Sequence, residues 1–267
     1  GNFQQLTFNG GVVRIGTNAG VGAIVCTGSE FIGSGAGYRA SGIQISQFFG
    51  FQAGYKASGI ETSQFFGSGA GYQASGVTGS QFFGGSAGSG AVVIKHSNFI
   101  GTDAGYQTSG VTGSQFFGSG AGYKATGIES SQFFGPKAGY QAKENSYNVV
   151  IGSSAGVETS GTDSSVFLGH MAGSGVKYGP YTSAIGYKAG AGVSGHYAVY
   201  GYNQFLGYQA GYQSSKIANV SAIGNGAGRE MFVSNGEYFG NRAGEYSVYS
   251  TKTVAIGHLA GASTSGV

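Results

Sequence analysis

The residues able to do chemistry are few in this chain, and they are scattered. The four histidines are His96, His170, His196 and His258. His170 and His258 each follow a glycine at a turn, and His96 and His196 fall in loops. The ten acidic residues are spread over the whole chain, whereas catalysis needs titratable groups gathered in a pocket. No His, Cys or Asp grouping has metal-ligand spacing. A calcium-binding roll would repeat aspartate after glycine; Asp103 and Asp163 stand alone. Cys26 is the single cysteine, so an intrachain disulfide is excluded, and its apolar place reads as a small buried residue. Gly33-Ser34-Gly35-Ala36-Gly37 mimics a dinucleotide loop, yet it recurs at Gly67 and Gly118 with no strand–helix context. The reading is therefore of a non-enzyme with no catalytic residues, no metal and no cofactor.

What positions these residues is a repeat. Ser46-Gln47-Phe48-Phe49-Gly50 restarts as Ser63-Gln64-Phe65-Phe66-Gly67. Fifteen key glycines, from Gly16 to Gly257, carry the frame, and twelve of their fourteen spacings equal that from Gly16 to Gly33. The step from Gly186 to Gly207 is longer than the rest, and the step from Gly224 to Gly240 is shorter by one. Each key glycine is followed at +3 and +4 by Ala-Gly, from Ala19-Gly20 to Ala260-Gly261. A period this strict describes a one-dimensional stack of small units. Glycine supplies 56 residues and proline only 2, which excludes collagen and Pro-rich linkers. Nineteen Phe and 18 Tyr exclude simple disorder.

Within the unit, counted from the key glycine, positions −4 to −1 read as a short β-run. Positions +3 to +7, such as Ala53-Gly54-Tyr55-Lys56-Ala57, alternate as a half-buried second strand. Ser58-Gly59 then reads as a turn, and Ile60 drops back inward. The fold class expected is all-β: a parallel β-solenoid, or β-roll, with two short strands per 17-residue coil and about 15 coils. Residues 1–11 read as a lead-in strand, 12–135 as regular coils, and 136–267 as diverged coils with an insertion near 194–202. The chain begins without Met and stops partway through a unit, so it is expected to continue in a longer chain or another subunit.

The double phenylalanine bears on partners. Adjacent strand residues point to opposite faces, so one Phe column fills the coil and the other points away from it. We assign the outward role to Phe48, Phe65, Phe82, Phe99, Phe116 and Phe133, facing a partner chain, and the coil-filling role to the second Phe of each pair. Gln47, Gln64 and Gln81 should stack as an amide ladder. Tyr178, Tyr181, Tyr197, Tyr200 and Tyr202, in the irregular second half, are the candidate receptor or glycan contacts. Only 9% of residues are charged, the net charge is +3, and no Lys/Arg run occurs, which argues against nucleic acid. No apolar run reaches membrane-spanning length.

The motif also resembles known repeats. Ser221-Ala222-Ile223-Gly224 and Thr253-Val254-Ala255-Ile256-Gly257 are similar to the head repeat of trimeric autotransporter adhesins (YadA-like). Ser97-Asn98-Phe99-Ile100-Gly101 and Phe205-Leu206-Gly207-Tyr208-Gln209-Ala210-Gly211-Tyr212 look closer to Gly-rich repeats of bacteriophage tail-fibre-like proteins. The likeness runs from about Val12 to Ala260. It implies a left-handed parallel β-roll, three chains side by side, an extracellular or virion location, and an adhesive, host-attaching role. A filament or sheath subunit stacking end to end is the other function implied by an uncapped solenoid.

Overall fold

The structure, a computed structural model, describes residues 11–195 and 201–265. The expected lead-in strand thus lies almost wholly outside the described residues. No helix occurs among them, and strands pair in parallel throughout. The chain is a parallel β-solenoid in which Ser46 meets Ser63, and Ser63 meets Ser80, one repeat apart. It divides into two compact units at Ile128/Glu129.

In the first unit, one sheet runs in chain order from Val13–Ile15 through Gln47–Phe49 and Gln64–Phe66 to Gln115–Phe117. A second sheet runs from Ile24–Thr27 through Ser58–Glu61 to Ser109–Thr112. Register is one coil per step: Phe48 pairs with Phe65, Phe65 with Phe82, and Ile60 with Val77. The second strand is therefore not where the alternation put it. It occupies Ser58–Glu61 rather than Ala53 to Ala57, and Ser-Gly lies in the strand rather than in a turn.

Three overlapping turns fill the intervening stretch. Ala53 N–H donates to Gly50 O (3.3 Å), Tyr55 N–H to Gln52 O (3.1 Å) and Ala57 N–H to Gly54 O (3.0 Å). Every second residue has positive φ: Gln52 54°, Gly54 64° and Lys56 53°. That is the signature of successive type II turns. The burial that results is not a strand's alternation: Ala53 and Gly54 are both buried, Tyr55 is half-buried, Lys56 is exposed and Ala57 is buried again. The turns also stack. Gly54 N–H reaches Ala70 O in the next coil, and Lys56 N–H reaches Tyr38 O in the previous one, both at 2.8 Å. Backbone groups are thus satisfied along the stack even where no strand exists.

The phenylalanine assignment is also corrected. Phe48, Phe65, Phe82, Phe99 and Phe116 in the first unit, and Phe133 in the second, are wholly buried inside the coil. They cannot face a partner chain. Their rings stack at 4.9 Å (Phe48–Phe65), 4.8 Å (Phe65–Phe82) and 4.8 Å (Phe99–Phe116). Each turns one ring edge to the glycine at +4: a Cβ on Gly54 would sit 2.2 Å from Cδ1 of Phe48. Inner Ser46, Ser63 and Ser80 share this face and are buried. Ser63 Oγ donates to Glu61 O (2.8 Å) and accepts from Ser80 N–H (3.2 Å). Ser63→Ala leaves the buried Ser80 N–H without its partner, while Glu61 O keeps the Gly79 N–H at 3.0 Å, and is expected to cost about 1–3 kcal/mol in urea denaturation.

The coil tolerates some strain. Position +9 is glycine at Gly42, Gly59, Gly76 and Gly110 with φ of 59–62°, but Val93 stands there with φ 55°. A β-branched residue pays a steric cost in this conformation that glycine does not. The Val93→Gly variant is expected to be about 0.5–1 kcal/mol more stable, read as a rise in Tm.

The second unit keeps the frame while its contents change. One sheet runs from Gln132–Phe134 and Val149–Ile151 to Ser221–Ile223, then to two long strands, Phe232–Phe239 and Val248–Ile256. Its inner column reads Phe133, Val150, Phe167, Ala184, Phe205 and Ala222, then Tyr238 and Ala255, all buried. The other side thins to isolated bridges, Lys143↔Ser160↔Lys177↔Ser194. There the inward aliphatic is replaced by Asn145 and Thr162, and hydrogen bonds take over from packing. Asn145 Nδ2 donates to Thr159 Oγ1, and Thr162 Oγ1 to Asn145 Oδ1, both at 2.7 Å. The long step from Gly186 to Gly207 leaves the first sheet intact, since Thr182 pairs with Asn203, and the register shifts at Ser194/Gly195 instead. The short step from Gly224 to Gly240 is absorbed within the long strand, where Ser221 pairs with Glu237.

Candidate binding surfaces

Because Ser and the first Phe point inward, Gln and the second Phe of each pair point outward. In the first unit this outer column reads Ile15, Ile32, Phe49, Phe66, Phe83, then Ile100 and Phe117, all half-buried or exposed. Phe49, Phe66 and Phe83 stack at 4.7 and 4.9 Å. In the second unit the same position holds Ile151, Leu168, Ile185, Leu206 and Ile256, all exposed. A lone soluble chain rarely exposes so long an apolar stripe.

Beside this column in the first unit the amide ladder forms as expected. Gln64 Nε2 donates to Gln47 Oε1 (3.2 Å), and Gln81 Nε2 to Gln64 Oε1 (3.4 Å). The ladder ends on Glu30, whose Oε2 accepts from Gln47 Nε2 at 3.2 Å.

The tyrosines at +5 stack as well: Tyr38–Tyr55 at 5.2 Å and Tyr55–Tyr72 at 5.0 Å, half-buried at the turn corner. Arg39 and Lys56 lie over the rings of Tyr38 and Tyr55 at 5.3 and 5.5 Å. Each ring inside the column has its faces covered by its neighbours, so it offers edges to solvent. That geometry suits packing better than stacking a ligand.

In the second unit Tyr178, Tyr181 and Tyr202 are exposed, while Tyr197 and Tyr200 lie outside the described residues. Tyr181 and Tyr202 meet at 5.1 Å with a 34° tilt. Tyr178 stands one side away, its Cδ1 3.4 Å from where a Cβ on Gly161 would be. The backbone N–H of Tyr202 donates to Asn219 Oδ1 (3.2 Å), and Asn219 Nδ2 to Asn235 Oδ1 (3.0 Å). The amides of Asn219 and Asn235 thus extend the column of Tyr181 and Tyr202. Sequence reading missed them. Taking the residue five before each key glycine places Tyr181, Tyr202, Asn219 and Asn235 in one row. The same procedure at +1 finds His170, Tyr187 and Tyr208, whose rings meet at 5.5 and 5.1 Å.

The groups able to do chemistry stay apart. Among the described residues no three His, Cys, Asp or Glu come together in a metal-holding group. Cys26 is half-buried rather than buried, and desolvation pushes its thiol pKa up, which leaves it protonated and weakly nucleophilic at neutral pH. A closely packed charged cluster in the second unit is structural: the buried Glu245 carboxylate contacts Arg242 and lies 3.8 Å from Arg229 Nη1.

Fold and surfaces together define a parallel β-solenoid repeat protein whose outer columns are apolar, amide and aromatic. A scan against protein-family models finds no match, and a search of the curated proteins finds none either.

Proposed function

We propose that the chain is a non-enzymatic structural and adhesive module of an extracellular or virion fibre, such as a phage tail fibre. In this reading it associates with itself, three chains side by side, and presents a surface for host-cell glycans. The observation that supports it is the outer column, an apolar stripe that recurs coil after coil while the inward Phe, Ala and aliphatic side chains fill the core without it. Covering that stripe with copies of the same chain removes it from water at roughly 25 cal/mol per Å². The low charge and hydroxyl- and amide-rich outer faces suit neutral ligands. Tyr178, Tyr181 and Tyr202 are the proposed glycan contacts of the second unit.

Sedimentation of the whole chain tests the association. A trimer is expected. A stable monomer with the stripe in water removes the partner-chain reading, and open-ended polymers favour the filament subunit instead. A glycan array tests the adhesive part, with Tyr202→Ala expected to lose signal if the second unit carries the contact.

A further inference from the structure

Between the glutamine ladder and the corner that precedes it, the first unit holds an open groove of about 300 Å³. One wall is the ladder: Glu30, Gln47, Gln64 and Gln81. The other is the corner column, Gly28, Ile45, Thr62 and Gly79. These corner residues have φ between 46° and 58°, which turns the chain sharply there. Gly28 puts no side chain into the groove at one end, and Gly79 at the other is covered by a side chain of the next coil. His96 leans back over Gly79: a Cβ on Gly79 would stand 2.6 Å from its Nδ1.

We infer that this groove binds an extended, neutral, β-linked oligosaccharide, about one sugar per coil over four coils. The inference rests on the adhesive reading above but names a different site and its ligand class. Each glutamine amide has two N–H donors and two acceptor lone pairs. The ladder uses one N–H and one lone pair of Gln47 and Gln64. What is left is a donor and an acceptor per coil, repeated at the stacking distance, which the adjacent Phe49, Phe66 and Phe83 rings set at 4.7 and 4.9 Å. A ligand that satisfies every rung must offer paired hydroxyl donors and acceptors at that same interval. Successive pyranoses of an extended β-linked chain advance by only slightly more than this, and although alternate rings turn over, each edge of the chain offers at every ring a hydroxyl that can both donate and accept. An extended peptide does not, because residues on one of its faces recur at about 6.7 Å and fall out of phase within two coils. Ile45, 68% exposed, supplies apolar contact for the C–H face of a sugar. The Glu30 carboxylate at the end of the ladder accepts from a hydroxyl and repels uronate, sulfate and phosphate.

The experiment is calorimetric titration of the full chain with cello-oligosaccharides of one to six sugars. Affinity is expected to rise with length up to about four sugars and then level off, with the matching uronate oligomers weaker. Gln64→Leu, which breaks the ladder on both sides, is expected to weaken binding at least about tenfold, a loss of roughly 1.4 kcal/mol. Gln81→Ala, at an exposed rung, gives a variant whose folding is not at risk and is expected to weaken binding severalfold. Circular dichroism confirms that both are folded. Binding unchanged in both variants overturns the groove. So does binding that is lost only in Tyr202→Ala, an outcome that leaves glycan attachment intact. Wild-type protein that binds no oligosaccharide overturns the groove too, and the sedimentation result then decides separately whether the fibre reading stands.

Discussion

Gly67→Ala is expected to destabilise the first unit by about 3–5 kcal/mol. Gly67 has φ 142°, and an added Cβ would stand 2.2 Å from the carbonyl oxygen of Gly84 in the next coil. That neighbour is backbone and is itself held in register, so it cannot move aside as a side chain would. Two costs therefore add: the strained conformation and the overlap. Gly59→Ala is the control. Its φ is 59°, and the nearest atoms to an added Cβ, in Gly76, are 3.7 Å away, so only the left-handed penalty of about 1–2 kcal/mol applies. Urea denaturation of the two variants should separate them clearly. Equal costs would mean that adjacent coils do not meet at the key glycine. The same argument covers Gly50 and Gly84, whose added Cβ atoms would lie 2.4 Å from the next coil's backbone.

Phe65→Ala is expected to cost about 3–5 kcal/mol, the range for deleting a fully buried aromatic side chain. Phe65 is wholly buried between Phe48 and Phe82, and its removal opens a cavity that neither neighbour can fill without leaving its own glycine. Phe66→Ser, at the next position in the chain, is expected to cost about 1 kcal/mol in a chain kept monomeric by dilution, because half-burial returns less transfer energy. Its larger effect should be on self-association, with the sedimentation profile shifted toward the monomer. The opposite ranking, Phe66 critical for folding and Phe65 for association, would hand the outward role back to the inner column.

That pair of residues also shows how far the sequence could be read. The period, the parallel stacking and the turn at each key glycine follow from glycine spacing alone, because few chains other than a stack need the same backbone feature at one fixed interval. The amide ladder was legible too, since polar residues in one column face the same neighbour. The parity of the phenylalanines was legible in principle. The second Phe of each pair shares its face with Gln47, Gln64 and Gln81, and burying that column would strip water from a row of amides. The first Phe shares its face with serine, a residue small enough to bond its own backbone. The position of the second strand was not legible. Ala53 to Ala57 alternates like a strand, and only the sign of φ at Gln52 and Lys56 distinguishes overlapping turns from extended chain. Side-chain type does not reveal that sign at glutamine or lysine. The groove was hidden for another reason: its two walls come from alternate residues on either side of a buried serine, and their separation depends on the corner angle between them.

The uniform register of the first unit has a genetic consequence. Phe48, Phe65 and Phe82 meet their neighbours through the same pairing at each step. Excising one coil, or duplicating one, would rejoin surfaces that already fit. Unequal recombination within the repeated stretch of the gene can therefore lengthen or shorten the product by whole units without asking any side chain to find a new partner, and size becomes a trait that selection can adjust independently of shape.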